Sequence, residues 1–366
     1  MLFYVIIIFI LGFLSFINVN QVKINNISDK TILFLGCLVL ILHDGLRWET
    51  GTDWQAYLYQ FKSVRHPEVE SWLKVEPGYF YLVKVFNLFS ENYTLFLIIH
   101  AIIIYSILFY VMNEMSPYPV LSIFFYYVTF IGVLGMNRQL LAIAICLISV
   151  KYLAENRIIK FIIIVFIAMI FHISSAIFFL LLLFRKNFKL ETYFIFIIIA
   201  IIIRYTDSIK YFLNAIAPIL GDFAKTKLLT YLNDSNKNYS FLSYLFGLMR
   251  RIPIFMLFII YRRKFDNDKY FPILINSYFL TIMLCLMFYG QIQIFIARAG
   301  FYFSISECFL IARVFTFVSK RSKYIVFILI FIYACLNFLN SIKSYPDLFI
   351  PYKGIYINSE YLRVLY

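Results

Sequence analysis

The chain is expected to fold as an all-α, polytopic membrane protein. Three observations carry that expectation. Of its 366 residues 63% are hydrophobic, and only 14% are charged. Apolar stretches long enough to cross a hydrocarbon core of roughly 30 Å recur from one end to the other. Soluble domains carry nearer a quarter charged residues. In lipid the backbone must satisfy its own polar groups, which favours helices.

The first expected span is 2–19. It has neither a basic n-region nor a small-residue cleavage pattern, so it reads as a span rather than a removable leader. Further spans are expected at 31–46, 94–113, 118–134, 138–153, 191–203, 241–262, 270–290, 292–318 and 323–342, about ten in all.

Two segments are read differently. Segment 161–184 is preceded by Lys151, Arg157 and Lys160 and followed by Arg185, Lys186 and Lys189. A single crossing would put these clusters on opposite sides, against the positive-inside rule. A re-entrant or broken hairpin with His172-Ile173-Ser174-Ser175 at its tip keeps both in the cytoplasm. Irregular backbone at that depth requires burial in protein or a wet cavity. Segment 76–91 starts with Glu76-Pro77, which suits a helix N-terminus. Glu76, Lys84, Asn87 and Glu91 fall within an arc of about 80°, opposite Tyr79, Tyr81, Leu82, Val85 and Phe86. It is expected to be an amphipathic helix lying in the interface or edging a cavity. The whole chain, 1–366, reads as one transmembrane domain with outer loops 43–75 and 204–240.

The net charge is +14. Positive-inside loops such as Arg262-Arg263-Lys264 account for much of it, and no soluble basic domain exists to bind nucleic acid. The five cysteines sit in apolar stretches without CxxC spacing and read as buried hydrophobes. The four histidines show no ligand spacing, and no DxD-like acidic pair occurs, so neither a metal nor another cofactor is expected.

Against this background, Arg47-Trp48-Glu49-Thr50-Gly51-Thr52-Asp53-Trp54 stands out. Thr52 and Gln55 match a capping box, which gives Asp53 the alternative role of a first-turn acid. Arg47 lies on the side depleted of arginine; the plain alternative is a snorkelling anchor. Arg138, Arg250, Arg251 and Arg298 lie in or at the ends of apolar helices, where ionisable residues are costly. Arginines converging on an outward cavity suit a diphosphate. Asp53, Glu76 and His172 are the candidate acids and bases, with Glu307 a fourth. His172 packed at a helix break is the alternative for that residue. Trp48, Trp54 and Tyr79 are candidates for stacking on sugar rings or for an aromatic interface belt.

The order Arg47…Gly51-Thr52-Asp53-Trp54…Tyr57, Glu76-Pro77-Gly78-Tyr79, Asn137-Arg138-Gln139-x-x-Ala142, Phe171-His172-x-Ser174 and Pro351-Tyr352 resembles the EpsG-like family of exopolysaccharide and O-antigen polymerases, the Wzy-type proteins. The resemblance runs across nearly the whole chain and supports Arg47, Asp53, Glu76, Arg138 and His172 by position. It implies a GT-C-like membrane glycosyltransferase at the bacterial inner membrane, its active site facing the periplasm. Such a protein polymerises undecaprenyl-diphosphate-linked oligosaccharide units, with the flippase and chain-length regulator of the pathway as partners. A flippase of the same lipid or an O-antigen ligase is the alternative.

Overall fold

The computed structural model describes residues 1–21, 28–65, 75–206, 211, 241–288 and 293–362, the side chains of 241–243 and 293–297 excepted. Most of the expected outer loop 204–240, and residues 66–74 of loop 43–75, lie outside the described residues. The helices are α1 (Leu2–Asn20), α2 (Asp29–Gly45), α3 (Trp54–Ser63), α4 (Pro77–Asn87), α5 (Tyr93–Met115), α6 (Pro119–Phe130), α7 (Asn137–Ala154) and α8 (Ile158–Phe171). After a 3₁₀ segment, Ile173–Leu182, come α9 (Leu190–Tyr205), α10 (Phe241–Ile260), α11 (Phe271–Phe288), α12 (Gln293–Ser304), α13 (Ser306–Val314) and α14 (Lys323–Ile342). Among the described residues there is no strand; an isolated bridge pairs Arg47 with Gly354.

Among the described residues, each of the ten expected spans contains α-helix. Five helices among the described residues, α1, α5, α7, α11 and α14, are long and apolar enough to cross a membrane. Stretch 292–318, expected as one span, is two helices interrupted at Ile305. Helix α4 has 11 residues, about 16 Å, too short to cross. Its faces differ from the expected ones. Asn87 is buried and donates to the Val83 carbonyl one turn back, 3.3 Å away, while Tyr81 and Val85 are exposed. An amide satisfied within its own helix is tolerated inside, and apolar side chains can face outward where the surroundings are apolar. The break expected near His172 is present: α8 ends at Phe171 and the 3₁₀ segment starts at Ile173.

The helices pack into two compact units. The first comprises residues 1–152, 158–176 and 307–366, the second residues 153–157 and 177–306. In the first, α6 is buried on nearly every side, as a helix apolar all round must be. Helices α1, α2, α5 and α14 pack around it, and α4 lies on α8. In the second, α11 is the buried centre, flanked by α9, α10 and α12. Its Asn276 amide donates to the carbonyls of Phe184 and Lys186, 2.8 and 2.7 Å away, in the loop that follows the 3₁₀ segment.

Candidate active site

The site of interest lies in the first unit, where two tight turns meet. Gly51 and Gly135 both hold positive φ, +100° and +106°. A Cβ at Gly51 would stand 2.2 Å from the Leu134 carbonyl oxygen, and one at Gly135 would stand 1.8 Å from that of Thr52. Only glycine permits both the conformation and this approach. The Thr52 N–H donates to the Leu134 carbonyl at 2.7 Å, and the Thr52 hydroxyl donates to it as well. The capping box is therefore not formed. Helix α3 begins at Trp54 with Asp53 at its N-cap, and the Thr52 hydroxyl serves the neighbouring turn instead.

This junction joins the turn before α3 to the turn before α7, which carries Arg138. Arg138 is at the start of α7 and donates through Nε to the Tyr57 hydroxyl at 3.1 Å and through Nη1 to Glu76 Oε2 at 2.6 Å. Glu76 Oε1 accepts the Ile173 N–H at 3.2 Å. One carboxylate thus joins Arg138 to the break after α8. The Asp53 charge also acts on the Tyr57 phenol, as one of the smaller influences on it. Burial pushes the Tyr57 phenol up, and the Arg138 guanidinium opposes that. Tyr79 is driven well above the usual range, chiefly by burial. Both phenols stay protonated near neutral pH and act as hydrogen-bonding groups.

Three helices start here: α3 at Trp54, α4 at Pro77 and α7 at Asn137. Asp53 and Glu76 are the N-caps of α3 and α4, and Arg138, in the first turn of α7, pairs with Glu76. Neither Asp53 nor Glu76 caps its helix with its side chain. Helix N-termini carry partial positive charge and unpaired N–H groups, and they favour an anion.

The other candidates are placed as follows. Arg47 is 3% exposed. It donates to the Asp44 carbonyl and to Asn137 Oδ1, both at 2.8 Å, and so holds the residue next to Arg138. His172 Nδ1 lies 2.6 Å from the Ser174 hydroxyl and accepts the Ser174 N–H at 3.3 Å. Trp54 and Tyr79 are 4% and 1% exposed, with rings turned edge-on to Trp48 and Tyr93 and to Tyr57 and His100. They pack in the core and do not present a face to a sugar; Trp48 is partly exposed. Glu307 is buried against the Tyr333 hydroxyl. Arg250, Arg251 and Arg298 belong to the second unit, in α10 and α12, and are partly exposed. Arg251 donates to the Gly247 carbonyl at 2.9 Å. Among the described residues, no group of three His, Cys, Asp or Glu is arranged to hold a metal.

Tyr57 and Asn137 emerge as the residues that orient Arg138 and Arg47. Both stand inside the motifs quoted above, but sequence spacing does not reveal that they contact the arginines. A family model described as the EpsG family matches residues 30–354. The chain belongs to the EpsG family. The match covers most of the chain and contains Arg47, Asp53, Glu76, Arg138 and His172, so the network just described is part of the EpsG match. Membership suggests a membrane protein with a polysaccharide-polymerase-like, glycosyl-transferring activity. Searches of curated proteins and of solved structures each found no significant match.

Proposed function

We propose that this EpsG-family protein polymerises oligosaccharide units carried on undecaprenyl diphosphate, acting on the periplasmic face of the bacterial inner membrane. The observation that carries the reading is the meeting of Arg138 with the N-terminal ends of α3, α4 and α7. An arginine beside helix N-termini suits a diphosphate leaving group, whose charge grows as the glycosidic C–O bond breaks.

Within that reading the carboxylates divide their work. Glu76 is engaged by Arg138 and the Ile173 N–H and orients the guanidinium. Asp53 is exposed, leaves its helix uncapped, and holds a left-handed φ of 55°. Backbone strain of this kind persists where surrounding structure enforces it and concentrates at functional sites. Asp53 is the base that takes the proton of the acceptor hydroxyl. Attack by that oxygen on the anomeric carbon, with departure of the diphosphate lipid from the opposite face, inverts the centre. His172, placed by its contact with Ser174, is the alternative base. Trp48 offers the sugar-stacking surface. Arg250, Arg251 and Arg298 belong to the second unit and are not part of this reading of the site. The reaction is assigned as metal-independent.

The test is purified protein in lipid with undecaprenyl-diphosphate-linked units, read as a ladder of products. Asp53→Asn and Arg138→Ala are expected to abolish the ladder, and a chelator to leave it intact. A normal ladder from Arg138→Ala would remove the diphosphate assignment. Transport of the lipid across the bilayer without chain growth would favour the flippase.

A further inference from the structure

The turn from Arg47 to Trp54 has an unusual backbone. Glu49, Gly51 and Asp53 all hold left-handed φ, at 48°, +100° and 55°. Glycine and aspartate visit this region readily but glutamate does not, so local preference does not produce the whole shape. Other segments must impose it. One is the Leu134–Gly135 turn. The other is the stretch following α14, which returns from far along the chain.

That return segment pairs with the turn almost residue by residue. The Gly51 N–H donates to the Leu348 carbonyl and the Trp48 N–H to the Lys353 carbonyl, each at 2.9 Å. The Thr50 hydroxyl donates to the Lys353 carbonyl and accepts the Lys353 N–H, again at 2.9 Å each. The Ile355 N–H donates to the Leu46 carbonyl at 3.0 Å. Tyr352 anchors the segment through its hydroxyl on the His43 carbonyl at 2.6 Å. Lys353, only 5% exposed, reaches Glu49 with its ammonium.

A lysine is seldom this buried. A buried ion pair adds little stability over a well-packed apolar pair; what it adds is a defined conformation. This pair joins the return segment to the first left-handed residue of the turn, four residues before Asp53. We propose that Lys353 is a positioning residue of the site: acting through Glu49 and Thr50, it fixes the turn that presents Asp53. The inference rests on the reading of Asp53 as the acceptor base. It makes residues near the end of the family match, up to Gly354, a working part of a site otherwise built from residues 47–173.

The experiment compares Lys353→Met, Glu49→Gln and Lys353→Arg with the native protein. Deuterium uptake is measured over residues 47–54, and chain growth on lipid-linked units is measured per folded molecule. Uptake is expected to rise in Lys353→Met and Glu49→Gln, kcat to fall by about tenfold or more with KM within about twofold, and Lys353→Arg to recover much of both. If Lys353→Met does not fold, Glu49→Gln carries the test alone. Raised uptake with unchanged kcat makes the pair merely structural and overturns the proposal. A fall in kcat with unchanged uptake also overturns it, since Lys353 would then act directly. If the native protein extends no chain, the polymerase reading fails; uptake then still decides whether Lys353 holds the turn, and unchanged uptake ends the inference too.

Discussion

Arg138 Nη1 lies 2.6 Å from Glu76 Oε2, and the other oxygen of that carboxylate accepts the Ile173 N–H. Glu76 therefore ties the start of α7 to the end of α8, and its side chain is only 17% exposed. Glu76→Gln keeps the shape and removes the charge. Activity is expected to fall by about two orders of magnitude, whereas stability should drop by about 1 kcal/mol, because the pair is partly solvated. Arg138→Gln combined with Glu76→Gln should be no worse than Arg138→Gln alone in a double-mutant comparison of chain growth. Additive losses would mean that the two side chains act separately.

Tyr57 supports the same guanidinium from its other edge. Tyr57→Phe retains the ring and removes the oxygen that accepts Arg138 Nε. The expected loss of stability is about 1 kcal/mol. The larger effect is expected on kcat, with KM for the lipid-linked unit nearly unchanged. Equal kcat in the variant and the native protein would show that Arg138 is held well enough by Glu76 alone.

Gly51 and Gly135 interlock the two turns. Gly51→Ala and Gly135→Ala would each drive a methyl group into a backbone carbonyl that no side-chain rotation can move. Each is expected to cost about 3 kcal/mol or more in unfolding measured in detergent. Gly247→Ala is the control: the nearest atom to its added Cβ is Arg251 Nη1 at 3.4 Å, the far end of a flexible side chain. Similar losses at all three positions would count against the interlocked turns.

Asp53 combines an exposed carboxylate with a left-handed backbone. Asp53→Gly relieves that conformation and is expected to hold or raise stability, by up to about 1 kcal/mol, while abolishing chain growth. Asp53→Asn should abolish growth at nearly native stability. Strong destabilisation by Asp53→Gly would show that the carboxylate is needed for folding rather than for chemistry.

Much of this was legible in the chain. The apolar stretches announced helices because long apolar runs at membrane dimensions have few alternatives, although 292–318 is two helices rather than one. The break at His172 followed from basic clusters on both flanks. Arg138 and Glu76 stood out as charges at the mouths of apolar segments. Other features were hidden. Thr52 and Gln55 satisfy a capping pattern, yet the Leu134 carbonyl competes for the Thr52 hydroxyl and wins. Trp54 and Tyr79 have the chemistry of a sugar platform, but α3 and α4 turn both rings into the core. Lys353 lies more than three hundred residues from Glu49, and no local signal marks the pair.

Hydropathy and residue type were enough to give the membrane setting of this protein, its helical class and the charged residues that need a purpose within apolar surroundings. Hydropathy and residue type are local properties, and they survive without knowledge of the fold. Only the tertiary structure decided which of those charges meet. It buried Arg47 beneath Asn137, set Glu76 against Arg138, left Asp53 exposed in a left-handed turn, and brought Lys353 back to hold that turn. Those outcomes depend on packing between distant segments, where one glycine contact or one carbonyl decides the partner.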